Sequence, residues 1–227
     1  MTESLDARLL WLAEQVRPNV FFIDIGSDHA RLPIYLVQSG RITQAVASDI
    51  ATGAVAQGRT HVAEQGLEAQ IALRLGNGLQ GMDMPAVADI AICGMGADSI
   101  CAIISDQPRV KQGQTRLLLQ AMTDTPVLRQ YLAAEGFGIE AEDCVYAEGR
   151  YYQCMVAVYT GAVRELDVAA AELGELNLRQ RSPAFLQSVR EREQRLQKWL
   201  PIKANAGQDT ALDTSLLAVY AQVLREH

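Results

Sequence analysis

Residues 21–33 read FFIDIGSDHARLP, and they concentrate chemistry at the end of an apolar run. Asp24, Gly26, Ser27, Asp28 and His29 follow one another almost without interruption. A glycine there lets backbone approach a ligand closely. The amides that follow it can meet an anionic group at a helix start. Asp24 or Asp28 could equally serve as an ordinary helix cap. His29 could act as a base, although a capping or helix-surface histidine is the plainer reading.

In an open parallel sheet, ligands bind beyond the carboxyl ends of the strands, so the other strand ends matter next. Residues 44–50, QAVASDI, end in Asp49, which can accept two hydrogen bonds from a ribose diol or cap the next helix. Residues 71–79, IALRLGNGL, end in Asn77, a candidate acceptor for an adenine amino group or simply part of an Asn-Gly turn. Residues 87–96, VADIAICGMG, end in Cys93, Gly94, Met95 and Gly96, where two glycines let a substrate plane pack on backbone. Residues 115–122, TRLLLQAM, carry Gln120, a candidate polar contact to substrate. No GxGxxG is present, so a pyrophosphate cradle and a nicotinamide enzyme are disfavoured. One glycine flanked by acids suits a ligand that is cationic at sulfur and carries an α-amino group. S-adenosylmethionine is such a molecule. The (Asp/Asn)-Pro-Pro-(Tyr/Phe) element of many base amino-group methylases is absent at the fourth strand end, which weakens that chemistry.

The elements that must hold these residues alternate short apolar runs with helical patterns over residues 1–160, the signature of stacked βα units. Leu5, Leu9, Leu12 and Val16 form one stripe of a first helix. Thr125 is expected to cap a helix with Pro126 at its first position. Residues 139–161 then read as two strands turning at Glu148 and Gly149. The expected fold is α/β: a Rossmann-like class I methyltransferase fold whose seven-stranded sheet is mostly parallel and ends in an antiparallel hairpin. Nicotinamide-binding folds usually stay parallel. Residues 1–161 are expected to form this ligand-binding domain. Residues 162–227 are expected to form a small helical, coiled-coil-like hairpin, with Ser182 and Pro183 opening one helix and residues 201–209 as the loop.

Net charge is −7, which argues against a generally basic nucleic-acid binder. The distribution is uneven. Between Arg179 and Lys203 seven basic residues face two acids, Glu191 and Glu193. A basic helix on an acidic body makes Arg192, Arg195 and Lys198 candidate phosphate contacts. The same helix could simply pack through Phe185, Val189, Leu196 and Leu200 and leave its charges solvated. Four cysteines form no CxxC pair, so free thiols are expected and no metal site. No apolar run is long enough to cross a bilayer, and the first residues lack the features of a secretory signal. A cytoplasmic monomer without membrane contact is expected.

The motifs DIGSDHARLP, GNGL, ICGMGADSI, LLLQ and EGRYYQCMVA occur in the order seen in the bacterial tRNA (adenine-22-N1)-methyltransferases, the TrmK family, which residues 5–160 resemble. The resemblance implies S-adenosyl-L-methionine as cofactor and tRNA as partner. It implies that Asp24, Gly26 and Ser27 line the cofactor pocket, that Asp49 with Ile50 holds the ribose, and that Asn77 with Gly78 faces the adenine. Gly94, Met95 and Gly96 would form the floor under the reacting groups. Asp28 would border both the methionine moiety and the target base, as the catalytic carboxylate. His29, Gln120 and Tyr152 are expected on the substrate side. Departures from the family pattern are Asn77 for Asp, Ala97 for Gly, Ala121-Met122 for Pro-Asn and Gln153 for Glu. The alternatives are a methyltransferase for another RNA, a small molecule or a protein, or a non-catalytic module that keeps the cofactor pocket.

Overall fold

The computed structural model of the chain describes residues 3–27, 29–82 and 85–226. Its elements run α1 (Ala7–Gln15), β1 (Phe21–Ile25), α2 (Arg31–Gln38), β2 (Ala45–Asp49), α3 (Thr52–Glu64), β3 (Ile71–Leu75), β4 (Val87–Gly96), α4 (Ala97–Ser105), β5 (Gln114–Thr123), α5 (Thr125–Ala134), β6 (Phe137–Ala147) and β7 (Arg150–Tyr159). The tail adds α6 (Val168–Leu173), α7 (Glu175–Gln180), α8 (Pro183–Asn205) and α9 (Ala211–Arg225).

One seven-stranded sheet has the order β3-β2-β1-β4-β5-β7-β6. The first five strands are mutually parallel, and β7 runs antiparallel between β5 and β6. This is the parallel sheet with a terminal hairpin that the strand pattern predicts. Its strand order reverses between β1 and β4, so a crevice opens at the carboxyl ends of these two strands. The central strands are apolar throughout because both faces are covered. Ile90, Ile92, Leu117 and Leu119 face one layer with Ile100 and Leu128. Ala91, Leu118 and Phe22 face the other with Leu12 and Leu36.

Helix α1 is pinned at both ends. Asp6 caps it, accepting from the Leu9 amide at 2.9 Å. Arg41 donates to the Val16 and Glu14 carbonyls at its far end, at 2.5 and 2.9 Å. Just beyond, the fully buried Asp89 accepts from the Arg17 amide at 2.7 Å and from its guanidinium at 2.6 and 2.8 Å.

Three local expectations are corrected. Thr125 is the first residue of α5 and not its cap: Asp124 stands there at φ 56°, closing a tight turn from β5. Residues 201–205 are helical, because α8 runs through Pro201 to Asn205 and leaves only at Gly207, φ 70°. A proline removes one ladder bond, and the Lys203–Asp213 contact of 2.6 Å ties this last turn to α9. The tail also carries two short helices, α6 and α7, ahead of its hairpin. The fully buried Arg129 of α5 ties α6 to β6. Its Nε donates to Glu142 at 2.7 Å, and its Nη1 to the Ala171 and Glu172 carbonyls at 2.8 and 3.1 Å. Its other terminal nitrogen reaches Gln153. Phe185, Val189 and Tyr220 complete a third apolar cluster with Cys144 of β6.

Candidate functional site

Two cavities open at the carboxyl ends of β1, β2 and β4, and they meet at Gly26. The first, about 290 Å³, is lined by Gly26, Asp49, Ile50, Asn77, Gly78 and Met95, with Ser99 and Ile103 of α4 and Asp106 just beyond it. Asp49 is not a helix cap. One of its oxygens accepts from the Ala51 amide at 2.8 Å, which fixes the carboxylate at the strand end. Ile50 is 72% exposed, an apolar wall on an open rim. Acid, amide and flat apolar walls together suit a nucleoside. The second cavity, about 320 Å³, is lined by Arg8, Asp24, Gly26, Ser27, Arg31, Cys93, Gly94 and Met122. It carries opposite charges on different walls.

The backbone between them has no room to spare. Gly26 sits at φ 69°, and a Cβ there would lie 2.0 Å from the Met95 methyl. The Gly-Met-Gly stretch owes its shape to a break in register. Cys93 pairs with Gln120 and Met95 with Ala121, leaving Gly94 as an extra residue in β4. Gly96 then pairs with Thr123, leaving Met122 extra in β5. Such bulges re-aim side chains at strand ends, and both extra residues line the second cavity. Gly96 lines neither cavity; it caps the start of α4 and pairs with Thr123 of β5.

Asp24 is 6% exposed and accepts from the Ser27 hydroxyl at 2.5 Å. Burial pushes its carboxyl up to about 7, the Ser27 bond opposes this, and the nearby Asp49 charge adds to it. Among the described residues no cation pairs with Asp24, and a buried carboxylate so placed suits a cationic ligand.

Arg8 is the site residue that reading the sequence missed. It comes from α1, where it looked like one more polar position on an amphipathic helix. Its Nη1 donates to Gln120 at 2.5 Å, its Nη2 to Asp6 at 3.1 Å, and its guanidinium carbon lies 5.2 Å from the Tyr152 ring centre. Gln120 is fully buried. Its amide nitrogen is held by the Ala121 carbonyl at 2.7 Å, so its oxygen points to Arg8 and the Gly94 amide. Gln120 therefore sits behind the wall, not on it.

Tyr152 lines a third cleft, about 340 Å³, with Met122, Asp124, Arg150, Tyr151, Glu172 and Arg192 among its walls. Arg192 reaches it from α8 while donating to Glu172 at 2.8 Å; the Tyr220 hydroxyl donates to the same oxygen at 2.6 Å. Arg195 and Lys198 are exposed further along α8 and line none of these cavities. His29 lines a separate open cleft with Glu3, Arg31 and His61, and its carbonyl contacts the His61 ring at 2.8 Å. Asp28 lies outside the described residues. Among the described residues no cluster of three or more metal-ligating side chains occurs, and no helix is long and apolar enough to cross a membrane.

Comparison with known proteins agrees with this geometry. A methyltransferase-domain family model matches residues 5–155. The tRNA (adenine(22)-N(1))-methyltransferase of Bacillus subtilis is 31% identical over 153 residues, which cover 67% of this chain and 64% of that protein. The matched part thus spans just under two thirds of the curated relative. A Streptococcus agalactiae structure assigned to the NADB-Rossmann superfamily superposes with a TM-score of 0.90 at 29% identity, covering 99% of both chains. A Streptococcus pneumoniae structure in complex with S-adenosyl-L-methionine superposes with a TM-score of 0.86 at 28% identity, covering 97% of this chain and 100% of that one. The sheet that ends in a hairpin, the crevice at its switch point and the match over residues 5–155 have one common explanation: the chain belongs to the methyltransferase-domain family.

Proposed function

We propose that the chain is an S-adenosylmethionine-dependent methyltransferase that modifies N1 of an adenine in tRNA, at position 22. The observation that carries this reading is the pair of cavities joined at Gly26, flanked by a cleft of aromatic and charged side chains, Tyr151, Tyr152, Arg150 and Arg192 with Asp124 and Glu172. The residues fit the cofactor. Asp49 and Asn77 offer acceptors at the nucleoside end, and Asp24 offers a buried carboxylate to an ammonium. The absence of a side chain at Gly26 keeps the passage between them open. The curated relative, a tRNA (adenine(22)-N(1))-methyltransferase, supports the substrate.

When bound, the cofactor supplies a sulfonium methyl, which neutral adenine N1 takes through its ring lone pair while positive charge passes from sulfur to base. No base is needed to prepare N1, so the task of the protein is alignment and charge. Met122, the extra residue of β5, lines both the second cavity and the cleft and so stands in the wall between cofactor and substrate. Tyr152 offers a ring face on the substrate side, held by Arg8. We assign Asp28 the carboxylate that stabilises the cationic product. Within this reading residues 1–161 carry the chemistry, and residues 162–227 present Arg192, Arg195 and Lys198 to phosphates. Turning a base out of folded RNA costs roughly a few kcal/mol, which phosphate contacts help to offset.

The test is incubation with methyl-labelled cofactor and unmodified bulk tRNA, followed by mapping of the label. Label on N1 of adenine 22 is expected. Label on another nucleotide, or on protein or small molecules only, selects a different methyltransferase. Cofactor binding without transfer to any substrate selects a binding module.

A further inference from the structure

We infer that Arg8 is the residue that reads the carboxylate at the amino-acid end of the cofactor. This rests on the reading of the two cavities as one S-adenosylmethionine site. The nucleoside end is assigned by Asp49 and Asn77, so the amino-acid end falls in the second cavity, beyond Gly26. An amino-acid head is a zwitterion and needs one partner of each sign. Asp24 is the anion of that cavity.

Two cations line it, Arg8 and Arg31. Arg31 is committed elsewhere: its Nε pairs with Glu3 at 3.1 Å, its Nη2 bonds the Ser4 carbonyl, and its side chain is 41% exposed. Arg8 is held on three sides and less exposed, at 17%. Gln120 takes one N–H, Asp6 takes another, and the Tyr152 ring lies beside the guanidinium. A guanidinium has five N–H donors, so three remain for a ligand. Its nearest ion pair runs to Asp6 and not across the cavity to Asp24, so the two opposite charges stay apart. Gly94 lines the cavity next to the guanidinium: a Cβ there would sit 3.8 Å from Arg8 Nη1, in ordinary contact. A planar donor fork anchored on the fully buried Gln120 is suited to a carboxylate.

The experiment is titration calorimetry with two probes. One is S-adenosylhomocysteine. The other is its analogue S-adenosyl-3-thiopropylamine, which lacks only the carboxylate. The wild-type chain should prefer the first by about 10- to 100-fold. In Arg8→Leu that preference should shrink to about twofold, while affinity for the analogue stays near wild type and reports a folded site. Arg8→Lys should keep part of the preference. Equal affinity of the wild type for both probes overturns the assignment. So does a preference that survives in Arg8→Leu, or one that Arg31→Leu abolishes and Arg8→Leu does not. A wild-type chain that binds neither probe fails earlier and overturns the cofactor reading itself.

Discussion

The guanidinium carbon of Arg8 lies 5.2 Å from the ring centre of Tyr152, and the two residues line different spaces. Arg8 faces the second cavity and Tyr152 the neighbouring cleft. On the proposed reading their contact is a wall shared by cofactor and substrate. A base stacked on an aromatic side chain is stabilised by about 1–3 kcal/mol. Tyr152→Ala should lower kcat/KM with tRNA by about tenfold or more, and Tyr152→Phe should retain most of it. Affinity for S-adenosylhomocysteine should change by no more than about threefold in either. Turnover and calorimetry on the same preparations check this. Equal losses in Ala and Phe would show that the hydroxyl matters and the ring face does not.

If Asp24 receives the cofactor ammonium, as proposed, cofactor affinity depends on pH. Its carboxyl stands at about 7, raised by burial and by Asp49. An ammonium binds the ionised form, so affinity for S-adenosylhomocysteine should fall by about tenfold between pH 8 and pH 6. Asp24→Asn should bind more weakly at pH 8 and show a flatter profile. Stability runs the other way. The folded-state value is above that of the unfolded chain, so the group favours folding below about pH 4, and this contribution is lost as pH rises through about 7. Asp24→Asn should accordingly raise the Tm of the ligand-free protein most at pH 8 and less at pH 5. Calorimetric scans at the two pH values decide.

Gly26 joins the cavities at the cost of tolerating no side chain. In Gly26→Ala the left-handed φ of 69° alone costs about 1–2 kcal/mol. The new methyl would also drive Met95 aside, into the first cavity. A lower Tm and at least about a tenfold loss of S-adenosylhomocysteine affinity are expected. In a Met95→Ala background the loss of affinity should be smaller while the loss of Tm persists. Identical affinity losses in both backgrounds would mean that Met95 is not the transmitter.

How much of this was legible depends on what each feature is made of. The strands were legible because buried parallel strands are continuous apolar runs, and their ends were marked by Asp24, Asp49 and Asn77. The Gly94 bulge was visible as a glycine pattern, but its register was not, since register is a property of two strands. Arg8 and Gln120 lie 112 residues apart and meet only when α1 crosses the sheet. Nothing local distinguishes that arginine from a solvated one. Likewise Pro201 looked like a helix stop because the Lys203–Asp213 ion pair that holds the turn is tertiary.

The joint between sheet and tail rests on Arg129 and Glu142, both almost wholly buried. Breaking one side of a buried, hydrogen-bonded pair costs about 3–5 kcal/mol. Arg129→Met should cost that much, because it orphans Glu142, Gln153 and two carbonyls at once. Arg129→Met combined with Glu142→Leu should cost less than the two single losses together. Urea denaturation of the three variants measures the coupling, and strict additivity would count against a shared network.

The last prediction concerns the basic face of α8. Arg192 is an ambiguous probe of RNA binding, because it also holds Glu172, and reversing its charge would disturb the packing of the tail. Arg195 and Lys198 are exposed and stand apart from the Arg192–Glu172 and Lys203–Asp213 pairs that hold the tail. Substituting both by Glu should leave Tm and S-adenosylhomocysteine affinity near wild type. tRNA affinity should fall, and the slope of log K against log salt should flatten by about 0.7–0.9 for each phosphate that is no longer neutralised. An unchanged slope would restrict the role of α8 to packing through Phe185, Val189 and Leu196. The tRNA would then be held by the cleft around Tyr152 and Arg150 alone.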